Sequence, residues 1–422
     1  MSLSKVAFKL REQMCSFLGN LRLSKPARRF VLEALYGIVS RQSVMLTEIG
    51  RSLNESIPLI KTENRLSRQA ARKGLWEAVT QFVIEQGAER VKKDTLLIVD
   101  PSDIAKPYAE KMEYLARVRD GSEGKLADGY WLCQVMAVEC GGNEIVPLVN
   151  HLWSQEAPEF ESENAEILGC IDRVSEATEG RGIWVYDRGG DRIKLIRPLL
   201  EREQQFIIRQ VGNRDVVWNR QKRRVRDVAA GCTTPYAETL RRQNLDGTET
   251  IRTITFGFRR VKLPDRREPL SLVVIRGFGQ EPTMLLTTVD VRGGRKKLWW
   301  VVQAYLTRWR IEETLRYAKQ KYDIENIRVL GYESLRNLMA MVLLVMYFSM
   351  VYLGQQAKLA VLAHHTLCAA KRLFGIPDFW YYAVADGLRE ILFGRQTRPF
   401  RFPTKRRDGP FIQLDFLHLA EP

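Results

Sequence analysis

Three acids in this sequence stand where acids can do chemistry. Asp100 closes the apolar run Thr95–Val99, Asp187 closes the apolar run Ile183–Tyr186, and Glu312 lies in a helix-patterned stretch. An acid directly after a buried run falls at a sheet edge, where α/β proteins form ligand sites and two acids can converge on a cation. Hard divalent ions such as Mg2+ or Mn2+ take carboxylate oxygens. Two such ions about 3.5–4 Å apart activate the attacking oxygen and stabilise the leaving oxygen of an in-line phosphoryl displacement. Asp100, Asp187 and Glu312 are therefore read both as the catalytic set and as the ligands of two metal ions. Asp103 and Asp191 are nearby acids that could serve as ligands or cap a following helix. Glu313 stands about 100° around the helix from Glu312.

Glu312 also belongs to a stripe. Tyr305, Arg308, Glu312 and Lys319 follow one another at spacings of 3, 4 and 7, which puts all four on one helical face. A phenol, a guanidinium, a carboxylate and an ammonium suit a face turned toward a phosphate backbone and a metal better than one turned toward a core. Arg308 would clamp a phosphate bidentately, and Lys319 would act as a point charge.

The charge balance points to a polyanion. The chain has 422 residues and a net charge of +16, with 66 Lys and Arg against 50 Asp and Glu. Residues 1–75 hold 14 basic against 5 acidic residues, and residues 201–300 hold 21 against 11. Those two blocks exceed the whole surplus, so two basic regions flank a slightly acidic remainder. DNA-binding regions around a metal-dependent core produce that pattern. The six cysteines (Cys15, Cys133, Cys140, Cys170, Cys232 and Cys368) include no CxxC pair, and the four histidines are not spaced with them. Neither a zinc site nor a disulfide framework is expected. Met1–Leu10 is amphipathic and carries Lys5 and Lys9, so no signal peptide is expected. The apolar run Leu338–Leu353 is 16 residues long, short of the ~20 a spanning helix needs. It reads as a buried core helix, and a cytoplasmic, nucleoid-associated protein with no membrane partner is expected.

The elements that must position these residues can be read in order. Residues 1–93 have helical periodicity, and Leu46–Leu53 followed by Asn64–Arg68 suits a helix-turn-helix reader of DNA. At Thr95 the pattern turns to strands: Thr95–Val99, Tyr130–Val138 and Ile145–Leu148. A helix over Ala165–Ala177, a strand over Ile183–Tyr186, a helix over 191–203 and a strand over Phe206–Arg209 follow. Three strands, a helix, a strand, a helix and a strand predict an α/β fold with a mixed sheet. Residues 210–290 read as a β-rich insertion with basic clusters at Arg220–Arg226 and Arg259–Lys262, Arg223 and Arg224 among them. One long helix is expected from about Lys297 to Tyr322. The segment 394–407 is basic and aromatic and reads as surface. The implied divisions are a helical DNA-binding domain (1–93), a core in two parts (94–209 and 291–355), the insertion (210–290), and a helical, basic C-terminal region (356–422) available for dimerisation.

The stretch Tyr305-Leu-Thr-Arg308-Trp-Arg-Ile-Glu312-Glu-Thr-Leu-Arg-Tyr-Ala-Lys319 resembles the signature of the insertion-sequence-four family of bacterial DDE transposases, the group that includes the transposon-five transposase. Asp187-Arg188-Gly189-Gly190-Asp191 is similar to that family's second motif. The resemblance spans roughly residues 45–355. It implies an RNase H-like core interrupted by a β-rich insertion between the second and third acids, with Asp100, Asp187 and Glu312 as the catalytic triad. It further implies that Tyr305, Arg308 and Lys319 contact the DNA end, with Arg188 and Trp309 beside them. The activity implied is cut-and-paste transposition: water nicks the transposon end, and the freed 3′-OH attacks target DNA. The partners implied are double-stranded DNA, as terminal inverted repeats and target, and a second copy of the chain. A DNA endonuclease without strand transfer and a non-catalytic DNA-binding relative are the alternatives. One departure concerns the strand Met284–Thr287. Some relatives carry there a Trp that holds a flipped base, and Met284 is a poorer stacking surface.

Overall fold

The computed structural model describes residues 3–119, 121, 124–243, 249–369 and 379–393. The chain opens with five helices, α1 (Leu3–Phe17), α2 (Lys25–Arg41), α3 (Leu46–Leu53), α4 (Leu59–Ala70) and α5 (Leu75–Ala88). Helix α2 is buried along most of its length and carries Glu33 inward with it at 1 % exposure. A buried carboxylate must be paired. Glu33 is gripped by Arg29 at 2.7 Å and by Arg65 of α4, and Glu55 completes the network with both arginines. Arg65, part of the segment read as a DNA reader, thus serves the packing of α4, while Arg68 stays exposed.

The next elements are β1 (Leu96–Ala105), β2 (Ala116–Arg119), β3 (Leu126–Val138), β4 (Ile145–Trp153), α6 (Glu163–Ala177), β5 (Ile183–Tyr186), α7 (Ile193–Glu201) and β6 (Gln205–Arg209). Strand β3 is antiparallel to β1 on one side and to β2 and β4 on the other, whereas β1, β5 and β6 run parallel. The order β4-β3-β1-β5-β6, three antiparallel strands followed by two parallel ones connected through helices, is that of an RNase H-like core, as expected.

A hairpin of β7 (Asp215–Trp218) and β8 (Gln221–Arg224) follows, turning through Asn219 and Arg220 at φ of 49° and 61°. Two successive left-handed residues are what a tight hairpin twist requires. Then come α8 (Val225–Ala230), β9 (Tyr236–Gln243), β10 (Glu249–Val261), β11 (Leu270–Arg276) and β12 (Thr283–Thr287). These last four strands do not form a separate body. Strand β12 pairs antiparallel with β6, so β12, β11, β10 and β9 extend the core sheet to ten strands.

The chain closes with α9 (Arg295–Thr307), α10 (Trp309–Tyr322), α11 (Tyr332–Tyr347), α12 (Gly354–Ala369) and α13 (Tyr381–Phe393). The single helix expected over 297–322 is two, broken at Arg308. The cause is local: the Thr307 hydroxyl donates to the Gln303 carbonyl at 2.8 Å and accepts from the Gly141 amide at 2.9 Å. A side chain inserted into the ladder in this way bends a helix, and the turn continues through three-residue bonds from Arg308 N to Tyr305 O and from Ile311 N to Arg308 O. Among the described residues, helix α11 with the π-helical turn after it (Phe348–Tyr352) is the one helix long and apolar enough to cross a membrane, but 94 % of its most apolar window is buried inside the protein. It is the expected core helix. The basic segment 394–407 lies outside the described residues.

Candidate active site

Strand register brings the first two acids together. Residues Leu96, Leu97 and Ile98 of β1 pair with Ile183, Trp184 and Val185 of β5. The pairing stops there, but the same offset carried two residues further brings Asp187, just past the end of β5, beside Asp100, and the two carboxylates interact electrostatically. Alternation then fixes the face. Leu96, Ile98, Ile183 and Val185 pack into one hydrophobic cluster, and Leu97, Val99, Trp184 and Tyr186 into the other. With a period of two, Asp100 and Asp187 share the face of the first cluster. That cluster also holds Leu298, Val301, Val302 and Tyr305 of α9 and Ile311, Tyr317 and Ala318 of α10. Glu312 therefore lies on a helix packed over the side of the sheet to which both aspartates belong.

The row is longer than two acids. Gln134 of β3 pairs with Asp100 on one side and Asn150 of β4 on the other. The β5–β6 register, Tyr186 with Ile208, sets Arg209 level with Asp187. Asn150, Gln134, Asp100, Asp187 and Arg209 thus form a polar line across five strands of an otherwise apolar face. Gln134 donates to Asn150 at 2.9 Å, and its own carbonyl oxygen is buried without a protein partner. The Arg209 guanidinium reaches the Tyr305 hydroxyl at 3.5 Å. Arg209 and Gln134 escaped the sequence reading. The signal that would have found them is register, which places them beside the acids although neither belongs to a motif.

Arg308 is the counter-charge of the site. Its guanidinium donates to Glu312 at 2.7 Å, lies 5.9 Å from the Tyr305 ring centre and 5.6 Å from that of Trp309, and is nearly buried. Burial pushes the Asp100 carboxyl up to about 7; the Arg308 charge opposes this, and the neighbouring Asp187 and Glu312 add to it. These couplings are the electrostatic signature of three acids gathered around one arginine. Among the described residues, no three His, Cys, Asp or Glu side chains already form a cage for one ion. The donor set nonetheless fits a divalent cation. The Arg308 charge does not offset the burial of Asp100 and the two acids beside it, and the partnerless Gln134 amide oxygen stands on the neighbouring strand.

Local chemistry explains the second motif. Asp187 ends β5 in an extended conformation and accepts from the Gly189 amide at 2.6 Å, capping a short 3-10 turn. A Cβ on Gly189 would lie 2.9 Å from the Asp187 carboxylate, and one on Gly190 would lie 2.5 Å from the Tyr186 ring. Only glycines permit this turn. Arg188, just before the two glycines, is exposed.

The remaining sequence candidates divide. Asp191 is buried against Arg214 at 2.6 Å and accepts from the Val211 amide, so it is structural. Asp103 accepts from the Gly121 amide and faces Lys319 at 3.7 Å. Lys319 also pairs with Glu325 at 2.8 Å, so here it fastens α10 to β1. Glu313 turns away to Arg310. Beta1 continues five residues past Asp100 rather than ending there. Beyond Ile98 it has lost β5 as a neighbour, and a strand edge tolerates Pro101. Trp309 is 59 % exposed. Arg223 and Arg224 are exposed on β8, Arg223 over Trp218 and Arg224 paired with Asp215. Met284 is buried at 7 % exposure, its methyl against Gly212, so it belongs to the core of the sheet and not to a stacking surface.

The site therefore gathers two acids from the ends of neighbouring strands of an RNase H-like sheet and a third from the helix that covers them. Residues 167–348 match the family model described as transposase DDE domain. That span includes Asp187 and Glu312 and begins after Asp100, which is located by register alone. Among solved structures, the chain is similar to a piggyBac transposase in a synaptic complex with hairpin DNA, at 10 % identity and a TM-score of 0.46, covering 90 % of this chain and 76 % of that one. No curated protein matches the sequence.

Proposed function

We propose that this chain is a DNA transposase of the DDE type, which cuts DNA at the ends of a mobile element and joins those ends to target DNA. One observation carries the reading: the level placement of Asp100 and Asp187 beneath the Glu312 helix, in a chain whose 167–348 segment matches a transposase DDE domain. The net charge of +16 supports a nucleic-acid substrate. The motif from Tyr305 to Lys319 supports placement in the insertion-sequence-four family, and with it a dimer that pairs two ends.

Asp100, Asp187 and Glu312 would hold the divalent metal. The chemistry a metal would supply there is polarisation of the scissile phosphate and a lower proton affinity of the attacking oxygen. The other side chains bind and orient. Arg308 exchanges its bond with Glu312 for a phosphate oxygen, and its planar fork grips two oxygens at once. Arg209 and Tyr305 brace the same phosphate from the β6 side. Trp309 offers an exposed indole to an unstacked base, Arg188 takes the neighbouring phosphate, and Arg223 and Arg224 meet the duplex farther out. Lys319 keeps α10 over β1, so that Glu312 arrives level with the aspartates. In the cleavage step water attacks phosphorus as the bond to the 3′ oxygen breaks. In the joining step that 3′-OH is the nucleophile.

The test uses the full chain with DNA carrying the inverted repeats that flank its gene. Mg2+-dependent nicking at the repeat ends and joining of a pre-cut end to a plasmid are expected. Nicking without joining would identify an endonuclease, and end binding without nicking a non-catalytic relative. Either result overturns the proposal.

A further inference from the structure

The opposite face of the same strands carries a second ionisable group that the proposed chemistry does not use. Cys133 of β3 sits directly across from His151 of β4. Cys170 of α6 packs into the same buried cluster as Cys133, close enough for the two thiols to interact. His151 Nε2 lies 2.6 Å from the Glu166 carboxylate. A cavity of about 250 Å³ opens here, lined by Trp76, His151, Glu166, Cys170 and Arg173 among others. Cys170 borders the cavity, and Cys133 stands behind it with no exposure at all.

This arrangement separates two roles. The Cys170 thiol is held below its usual range by the hydrogen bond from Cys133, with the His151 and Arg173 charges helping, while the Cys133 thiol is pushed up. One sulfur thus borders the cavity where a small oxidant can reach it, and the other stands directly behind it. Cys15 and Cys140 are more exposed, yet burial, opposed by Arg28 at Cys15 and reinforced by Glu139 at Cys140, pushes their thiols up to about 11 and about 12. The thiolate is the reactive form.

We propose that Cys170 and Cys133 form a peroxide-reactive dithiol site, in which hydrogen peroxide entering the cavity oxidises Cys170 and Cys133 closes the disulfide. The Cys170 thiolate attacks one peroxide oxygen and the O–O bond breaks. Cys170 becomes a sulfenic acid, and the departing hydroxide takes the His151 proton to leave as water. The Cys133 sulfur then attacks the sulfenic sulfur, the S–O bond breaks, and a second water leaves with the Cys133 proton. In net terms two thiols lose two electrons, one peroxide becomes two waters, and α6 is bridged to β3.

The test is time-resolved oxidation of the native full chain by hydrogen peroxide, with alkylation of residual thiols and peptide mass spectrometry. Cys170 and Cys133 should be lost together, at least ~10-fold faster than Cys15 and Cys140, and a Cys133–Cys170 linked peptide should accumulate. In Cys133→Ser, Cys170 should accumulate instead as a sulfenic acid trapped by a dimedone-type probe. Oxidation in order of exposure, Cys15 and Cys140 first, would overturn the proposal, as would loss of Cys170 without the linked peptide. The wild-type comparison needs no variant to fold.

Discussion

Strands β1, β3 and β4 carry an ionisable cluster on each face, and the two clusters handle charge in opposite ways. On the α10 side, Glu312 pairs with Arg308, whose charge also acts on Asp100 beside Asp187, and burial still pushes the Asp100 carboxyl up to about 7. On the α6 side each group has its own partner, His151 with Glu166 and Cys170 with Cys133. The first face is left short of positive charge and can be completed by an incoming cation or broken by substitution. The second is balanced from within and changes only by covalent chemistry. A sheet one residue thick thus separates a site built to receive from a site built to react.

The largest expected effect is on the first face. Asp187→Asn or Glu312→Gln should lower Mg2+-dependent nicking by about 10³-fold or more, with affinity for the DNA end held within about threefold, because basic residues supply it. A gel assay of nicking beside a binding titration checks this, and residual nicking near wild type would dissolve the acid set. Next, Arg308→Ala should cost about 10²-fold in nicking, and Arg308→Lys should recover only part of it, since a point charge cannot replace a fork. Full recovery by lysine would show that charge alone matters.

A stability measurement sharpens the contrast without using activity. Asp100 binds its proton more tightly folded than unfolded, so its contribution to stability falls as pH rises from about 4 to about 7. Asp100→Asn should therefore stabilise the metal-free protein by about 1–3 kcal/mol at pH 8 and by much less at pH 4. Mg2+ should then stabilise the wild type more than the variant at pH 8. Denaturant melts with and without Mg2+ decide it, and a variant equally stable at both pH values would mean that Asp100 is not charge-starved. On the second face the substitution acts in the opposite sense, destabilising, while the pH slope keeps the same direction. The Glu166 partner, with the Cys170 charge, raises the proton affinity of His151 against its burial. Their stabilisation is present at low pH and fades as pH rises through the raised value. Glu166→Gln should cost about 1 kcal/mol at pH 6, less at pH 9, and leave nicking under reducing conditions unchanged. A loss of nicking would couple the two faces.

The acids were legible in the sequence because each follows or sits within an element with a clear period. The apolar runs before Asp100 and Asp187 announce strands, and the 3-4-7 spacing announces a helix face. The mixed sheet followed from the order of those elements. What stayed hidden depends on pairing between distant segments. Arg209 and Gln134 are unremarkable in sequence and become part of the site only through the β5–β6 and β1–β3 registers. The break at Arg308 came from a threonine hydroxyl that answers an amide 166 residues away, which no helical periodicity can show. The strands of 210–290 looked like a self-contained insertion because their alternation says which face is buried but not which strand lies alongside. Nothing in the spacing of Cys133 and Cys170 announced that the two would meet in one buried cluster.

The sheet's unequal strand lengths have a consequence of their own. Strands β1 and β3 are joined by ten residue pairs and β9 and β10 by eight, whereas β5 is held to β1 by three and β6 to β12 by three. The outline is an hourglass, wide at both flanks and pinched at the middle, and Asp187 and Arg209 stand on the rim of the pinch. Beta1 overshoots that rim by five residues and forms one wall of an open notch. A substrate can reach the acids from the end of the strands, with its path bounded by that wall and by α10 above. The direction of approach is thus set by where the short strands stop.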